Sequence, residues 1–466
     1  MSLHTRTGDV SQTKRNDGLE RTLTLRGAVT LNLLDMIGVG PFITLPLLIG
    51  AMGGPQAMLG WVLGAGLAVC DGMVWAELGA AMPEAGGTYA YLAQMYPGRW
   101  GRWLSFLFAF QLLFSAPLSV ASGCIGLAQY AGALSPALRA WTTWIAVGVV
   151  VVAVVLLYRR LSGVRRIAQG LLVVVLATIA WAVVTGLWHG HWAQVVTVAP
   201  GAFRLDHKFL VGLGSAMLLA TYDYWGYYNV TFLGGEAKDP ARTIPRAVLL
   251  SIAIVAVLYL ALNASVLSVI SAPEMMRGGA AMREALLSRF MEMAYAPSVG
   301  VHGAAVLGKI AAVMVMVTAF GSVFSLLLGY SRIPFAAARD GNFPRVFGRL
   351  HPTRRFPYVS LLVLGGVACV CCFFSLGEVI AALVVLRIVL QFSLQHVGVM
   401  MLRVRRPEMR RPFRMWLYPA PPVIALIGFG YIVFVRRGSM RELLLAVVVA
   451  AVGTVWFVVR RAVRPI

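Results

Sequence analysis

The stretch Leu33-Leu34-Asp35-Met36-Ile37-Gly38-Val39-Gly40-Pro41-Phe42 interrupts the first apolar run of the chain. Gly-x-Gly-Pro removes side chains from the backbone and deletes one amide donor, so a helix entering it should break. At bilayer depth a break survives only where the freed backbone groups face protein, water or a ligand. The half-helix restarting near Gly40 would then offer free N–H groups and the positive end of its dipole, a seat for a carboxylate. The plainer alternative is a packing kink, since glycine and proline are common in membrane helices.

Composition places this run in a bilayer. Of 466 residues, 59% are hydrophobic and 12% charged, with a mean hydropathy of +0.79. Soluble domains carry about 25% charged residues. A spanning helix needs about 20 apolar residues. Twelve runs qualify, at roughly 27–51, 57–81, 103–133, 140–158, 167–188, 208–233, 246–270, 302–330, 357–376, 379–402, 417–435 and 442–460. Segments 189–207, 271–301 and 331–356 read as the longest exposed connections. The polar first 26 residues lack a cleavage pattern, so the first apolar run is expected to stay as a membrane helix. With the N-terminus cytoplasmic, 29 of the 40 lysines and arginines fall on the cytoplasmic side and 9 outside, the remaining 2 being Lys309 and Arg387 within spans. That imbalance predicts both termini in the cytoplasm and an even number of crossings.

The sixth run carries the second fault: Ala220-Thr221-Tyr222-Asp223-Tyr224-Trp225-Gly226-Tyr227-Tyr228-Asn229. An acid at the bilayer centre costs several kcal/mol and normally faces a cavity. Aromatic belts lie at helix ends, whereas this cluster starts about 14 residues into the run. Its spacing echoes the first run, with Asp35-x-x-Gly38 there and Asp223-x-x-Gly226 here. Interrupted helices at matching places in two halves point to a transporter of inverted repeats with a midplane binding site. The expected architecture is an all-α membrane protein with first and sixth helices discontinuous. It comprises a tail (1–26), a ten-helix core (27–402, repeats about 27–188 and 208–402) and two added helices (403–466).

Other features narrow the function. The net charge of +22 sits in short clusters such as Tyr158-Arg159-Arg160, without the aromatic-interleaved basic face of a nucleic-acid binder. The five cysteines lie within apolar runs, as small packed hydrophobes. No metal spacing or nucleophile–base pair suggests an enzyme or cofactor, and His189-Gly190-His191 reads as a solvated loop. Within the spans Asp71, Lys309 and Arg387 are either mutually paired or engaged in ion or proton coupling. Glu77, Glu84 and Glu236 lie near helix ends, as structural charges.

From about residue 22 to 430 the sequence resembles the amino acid–polyamine–organocation (APC) superfamily. The similarity is carried by Ala76-Glu77-Leu78…Pro83…Gly86-Gly87-Thr88-Tyr89-Ala90-Tyr91-Leu92 and by Glu236-Ala237-Lys238-Asp239-Pro240-Ala241-Arg242-Thr243-Ile244-Pro245. Ala338-Arg339-Asp340-Gly341 and Arg411-Pro412-Phe413-Arg414 follow in the right order. The resemblance implies a LeuT-like fold and transport of amino acids, amines or related organic cations. Substrate would be held at Gly38, Val39 and Gly40 and at Tyr222, Asp223 and Tyr224, with Trp225 or Tyr222 as an aromatic gate. Ser322 and Ser325 stand where the family's sodium sites use hydroxyls, and Asp71 and Lys309 are further candidates for H+ or Na+ coupling. The fifth run lacks the lysine of some proton-coupled members, and Tyr224 stands where many have glycine.

The function expected is therefore a secondary transporter in the cell (inner) membrane that moves amino acids by alternating access. Asp223 would read an amine, and the half-helix near Gly40 a carboxylate. A polyamine carrier, in which Asp35 and Asp223 together dominate, is the alternative within the class. A non-transporting amino-acid sensor is the alternative outside it.

Overall fold

The computed structural model describes residues 21–158, 161–435 and 439–463. Most of the N-terminal tail, the cluster Arg159-Arg160 and the last three residues lie outside the described residues. The described chain is helical with no strand, only isolated bridges pairing Leu23 with Ala237 and Ala85 with Leu233. Among the described residues, eight helices are long and apolar enough to cross a membrane, or nine if the bent first pair counts as one span. The ninth and eleventh expected spans are the shorter apolar helices Tyr358–Cys371 and Ala420–Phe434, and the sixth is divided. Twelve crossings remain the expectation of the sequence.

The first span breaks. Its helix Leu25–Met36 ends before Gly38, a 3-10 turn covers Gly40–Phe42, and Leu45–Met52 continues at 56° to the first part. The sixth runs over His207–Tyr224, loses helical form through Trp225–Tyr228, and resumes only as a single turn, Asn229–Phe232. The two breaks pack backbone to backbone. Gly226 has φ 125°, and a Cβ there would meet Met36 N at 2.7 Å and the Asp35 carbonyl carbon at 2.9 Å. Both the dihedral and the approach require glycine.

The connections carry more structure than the sequence suggests. Segment 271–301, expected to be exposed, contains Ala272–Arg277 and Gly279–Glu284 and the start of the helix Leu286–Tyr330. Leu286, Leu287, Phe290 and Met291 are buried there. Pro297 and Gly300, whose φ is 72°, kink that helix and disguise its continuity in the sequence. The connection after the eighth span forms the helix Arg332–Arg339, where Arg332 makes a buried ion pair with Glu236 at 2.8 Å. Glu77 pairs with Arg403 and with Arg411, and accepts from the Met415 amide at 2.8 Å. The structural role expected of Glu77 and Glu236 has these partners.

Candidate functional site

Each break is stabilised by side chains from neighbouring helices, which replace the missing backbone bonds. Asn32 of the first span uses both ends of its amide: Nδ2 donates to Tyr227 O at 2.6 Å, and Oδ1 accepts from Val230 N at 3.0 Å. This caps the single turn Asn229–Phe232. Asn229 donates to Ser325 O and Oγ in the eighth span, both at 3.0 Å. The Tyr259 hydroxyl of the seventh span (Pro240–Val269) donates to Met36 O at 2.5 Å and reaches Asp223 O at 3.3 Å, touching both breaks.

Several backbone groups at the breaks remain unpaired. Among the described residues, the amides of Val39 and Gly40 have no acceptor, and the carbonyls of Tyr222 and Tyr224 receive no amide. Asp223 is 3% exposed; its Oδ2 accepts from Thr44 Oγ1 at 2.5 Å, and its Oδ1 has no hydrogen-bond donor. The carboxylate lies against the head of the restarted half-helix, for a Cβ on Gly40 would stand 1.8 Å from Oδ1.

Val39, Gly40, Tyr222 and Asp223 border one partly open cavity, whose unfilled space of about 470 Å³ includes open solvent; Tyr224 is not among its lining. Its lining includes Asp35, Gly38, Val39, Gly40, Tyr222, Asp223, Trp225 and Ser322, all expected from the sequence. Ser119 and Ser122 of the third span (Gly98–Leu134), Tyr228, Tyr330 and Arg387 complete its polar wall. The Tyr222 hydroxyl is 2.9 Å from Ser122 Oγ. Arg387 donates to Tyr228 Oη at 3.0 Å and Ser119 Oγ at 2.8 Å, while its Nε has no acceptor. Its guanidinium carbon lies 4.9 Å from the Tyr330 ring centre and 5.9 Å from that of Trp225. A buried cation thus shares the cavity with two carboxylates, those of Asp35 and Asp223.

Other expected residues lie elsewhere. Tyr224 turns its ring away, against Trp61 and Tyr259, because two residues past Tyr222 on a helix is the opposite face. Only its carbonyl stays at the break. Asp71 is buried but outside the cavity, beside Trp75, Tyr227 and His396. Lys309 is exposed on the eighth span and is not brought to the site. Ser322 and Ser325 donate across to Asp35 O at 3.1 Å and Leu31 O at 2.8 Å in the first span, rather than to their own helix. Arg387 was visible only as an unexplained charge within a span. Asn32 and Tyr259 had no local signal beyond polarity in an apolar run.

Two interrupted helices, joined at their breaks around a buried polar cavity within a multi-span helical chain, define a membrane carrier of small solutes. The profile of the amino acid permease family matches residues 23–458, and the chain belongs to that family. It is similar to the serine/threonine exchanger SteT of Bacillus subtilis, at 27% identity over 90% of this chain and 91% of that protein. It is also similar to the human Asc-type amino acid transporter 1, at 25% identity over 92% of this chain and 78% of the relative. The cystine/glutamate transporter of Pongo abelii is 26% identical, over 86% of this chain and 77% of that protein. The expected APC membership stands, and the chain is a multi-pass amino acid transporter.

Proposed function

We propose that this protein is a secondary carrier of small zwitterionic amino acids that works by alternating access in the cell (inner) membrane, with both termini cytoplasmic. The observation that carries the reading is the cavity where the free amides of Val39 and Gly40 adjoin the carboxylate of Asp223. An α-amino acid holds its ammonium and carboxylate on one carbon, so the two readers must adjoin each other. The Val39 and Gly40 amides take the carboxylate; Asp223 and the Tyr222 carbonyl take the ammonium. Trp225 and Tyr222 close over the solute from the broken sixth span. A bundle that carries both broken spans rocks against a scaffold of the remaining helices; the core comprises the repeats 27–188 and 208–402, and 403–466 is an addition to it.

The relatives named as a serine/threonine exchanger, an Asc-type amino acid transporter and a cystine/glutamate transporter agree with a substrate that carries an α-ammonium and an α-carboxylate. Bulky side chains are disfavoured by the close rings of Trp225, Tyr228 and Tyr330. Arg387 argues against the polyamine reading, since a buried guanidinium in the wall repels a second positive charge. The family and its named relatives are transporters, and we assign no catalytic step to the chain.

The test is reconstitution into liposomes with a panel of labelled amino acids and polyamines. Counterflow of small neutral amino acids, without counterflow of putrescine or spermidine, is the expected result. Polyamine accumulation alone would replace the substrate class, and binding of an amino acid without any flux would make the protein a sensor.

A further inference from the structure

Outside the cavity, the membrane interior holds another pair of titratable side chains. Asp71 of the second span (Met58–Ala81) and His396 of the tenth are fully buried, with His396 Nε2 3.2 Å from Asp71 Oδ1. The contact is an ion-pair distance with poor hydrogen-bond alignment, and neither atom has a hydrogen-bond partner. Oδ2 of Asp71 accepts from Trp75 Nε1 at 3.1 Å and from the Tyr227 hydroxyl. His396 Nδ1 lies 2.7 Å from Phe392 O. The ionisable neighbours are Cys70 on the Asp71 helix and Tyr227 and Tyr228 from the sixth span. The eleventh span presents Phe429 to His396, and the seventh presents Val248 and Ile252 to Gly72.

The proton inventory follows from these partners. A backbone carbonyl only accepts, so Nδ1 of His396 carries hydrogen. Nε2 then bears either hydrogen or a lone pair. A lone pair would face the carboxylate across 3.2 Å, setting two acceptors against each other and leaving Oδ1 without a donor. One further proton held between Nε2 and Oδ1 removes both penalties, whichever partner it is assigned to.

We propose that Asp71 and His396 form a proton-binding site coupled to the substrate cavity. The pair holds one proton in this conformation and gives it to water when the tenth span separates from the second and sixth. Release leaves the carboxylate on Trp75 and Tyr227 and a neutral imidazole on Phe392 O, so the pair passes from neutral to one negative charge.

The coupling is built into two irregular segments, each reaching from cavity to pair. In the broken turn of the sixth span, Tyr228 lines the cavity while Tyr227, its neighbour, donates to Asp71. In the tenth span, Arg387 lines the cavity and a π-helical turn, Ile388–Phe392, follows it. The Phe392 ring stacks on Trp225 at 4.7 Å while its carbonyl engages His396. Such π turns are frequent at functional sites. A solute that shifts Trp225 or Arg387 thereby pulls on both sides of the pair.

The inference rests on the carrier reading, and the test separates the two. Proteoliposomes loaded with pyranine receive the best-transported amino acid of the panel, with acid outside and with acid inside. Counterflow without a gradient tests the carrier; the pyranine signal tests the proton site. The wild type should move protons with the solute and run several-fold faster under one of the two gradients. Asp71→Asn and His396→Gln should keep counterflow while losing the gradient response and the proton signal. Tyr227→Phe, which removes one hydrogen bond from Asp71 and little volume, should change the response to the proton gradient while keeping counterflow. A static ion pair would leave that response in place. Solute flux in the wild type with no pyranine change and equal rates under both gradients overturns the proposal, even if the substituted proteins fail to fold. So does a full gradient response in folded variants.

Discussion

Asp223→Asn is the most direct probe of the cavity. The substitution keeps size and shape in a site where the side chain is 3% exposed, so packing is preserved. Thr44, which donates to Oδ2 at 2.5 Å, can turn its hydroxyl to accept from the new amide. What disappears is the charge that faces the substrate ammonium. A hydrogen bond to a charged group contributes about 1.5–3 kcal/mol net, which corresponds to a KM raised roughly 10- to 150-fold at 1.4 kcal/mol per decade. Initial rates of labelled amino acid uptake in proteoliposomes, normalised to protein incorporated, measure it. Gly40→Ala attacks the same contact from the other side, because its Cβ would stand 1.8 Å from Oδ1 and must drive the carboxylate off the half-helix. The two changes together should cost less than the sum of their separate effects, since both act on one carboxylate. An unchanged KM for Asp223→Asn, or a loss of uptake matched by an equal loss of folded protein, would refute the role of Asp223 in the site.

Arg387→Leu should lower transport of amino acids at least about tenfold, because Asp35 then stands as a buried carboxylate without the nearby cation; Arg387→Lys should recover only part, as a lysine cannot reach Tyr228 and Ser119 with one planar fork. Gly226→Ala should abolish folded protein on size-exclusion chromatography, given φ 125° and a clash 2.7 Å from Met36 N. Replacing sodium by choline should leave uptake within about twofold, since the hydroxyls of Ser322 and Ser325 already spend their protons on Asp35 O and Leu31 O, at the central value of about 1 kcal/mol each. Sodium-dependent uptake would show that those hydroxyls turn to a cation. Asn32→Ala should cost about 2–4 kcal/mol of thermal stability, because it uncaps Val230 and strands Tyr227 O in the interior; a melting temperature equal to wild type would contradict the clamp.

The two breaks were legible because their causes are local. Gly38, Gly40 and Pro41 forbid a continuous helix by their own chemistry, and an acid amid aromatics at Asp223 has no place against lipid. Which side chains then face the cavity was less legible. Helical periodicity carries direction only as far as the break, so Trp225 and Tyr228 face the cavity by a turn that no spacing rule describes, while Tyr224 leaves it. Long-range partners were beyond reach for a different reason. Asp71 reads as paired with Lys309 or Arg387 or as a coupling acid until the fold brings His396 to it, and Ser325 reads as a sodium-site hydroxyl until the first span supplies Leu31 O. The helical start of the eighth span was hidden because Pro297, Gly300 and several charges mimic a connection.

The Tyr259 hydroxyl, set between Met36 O and Asp223 O, makes the two interrupted segments mechanically one piece. Were they free to slip separately, a moment would come when neither mouth of the protein was sealed and solute could run down its gradient unaccompanied. A single phenolic rivet on a third helix thus guards against leak, a virtue that shows only in what fails to cross.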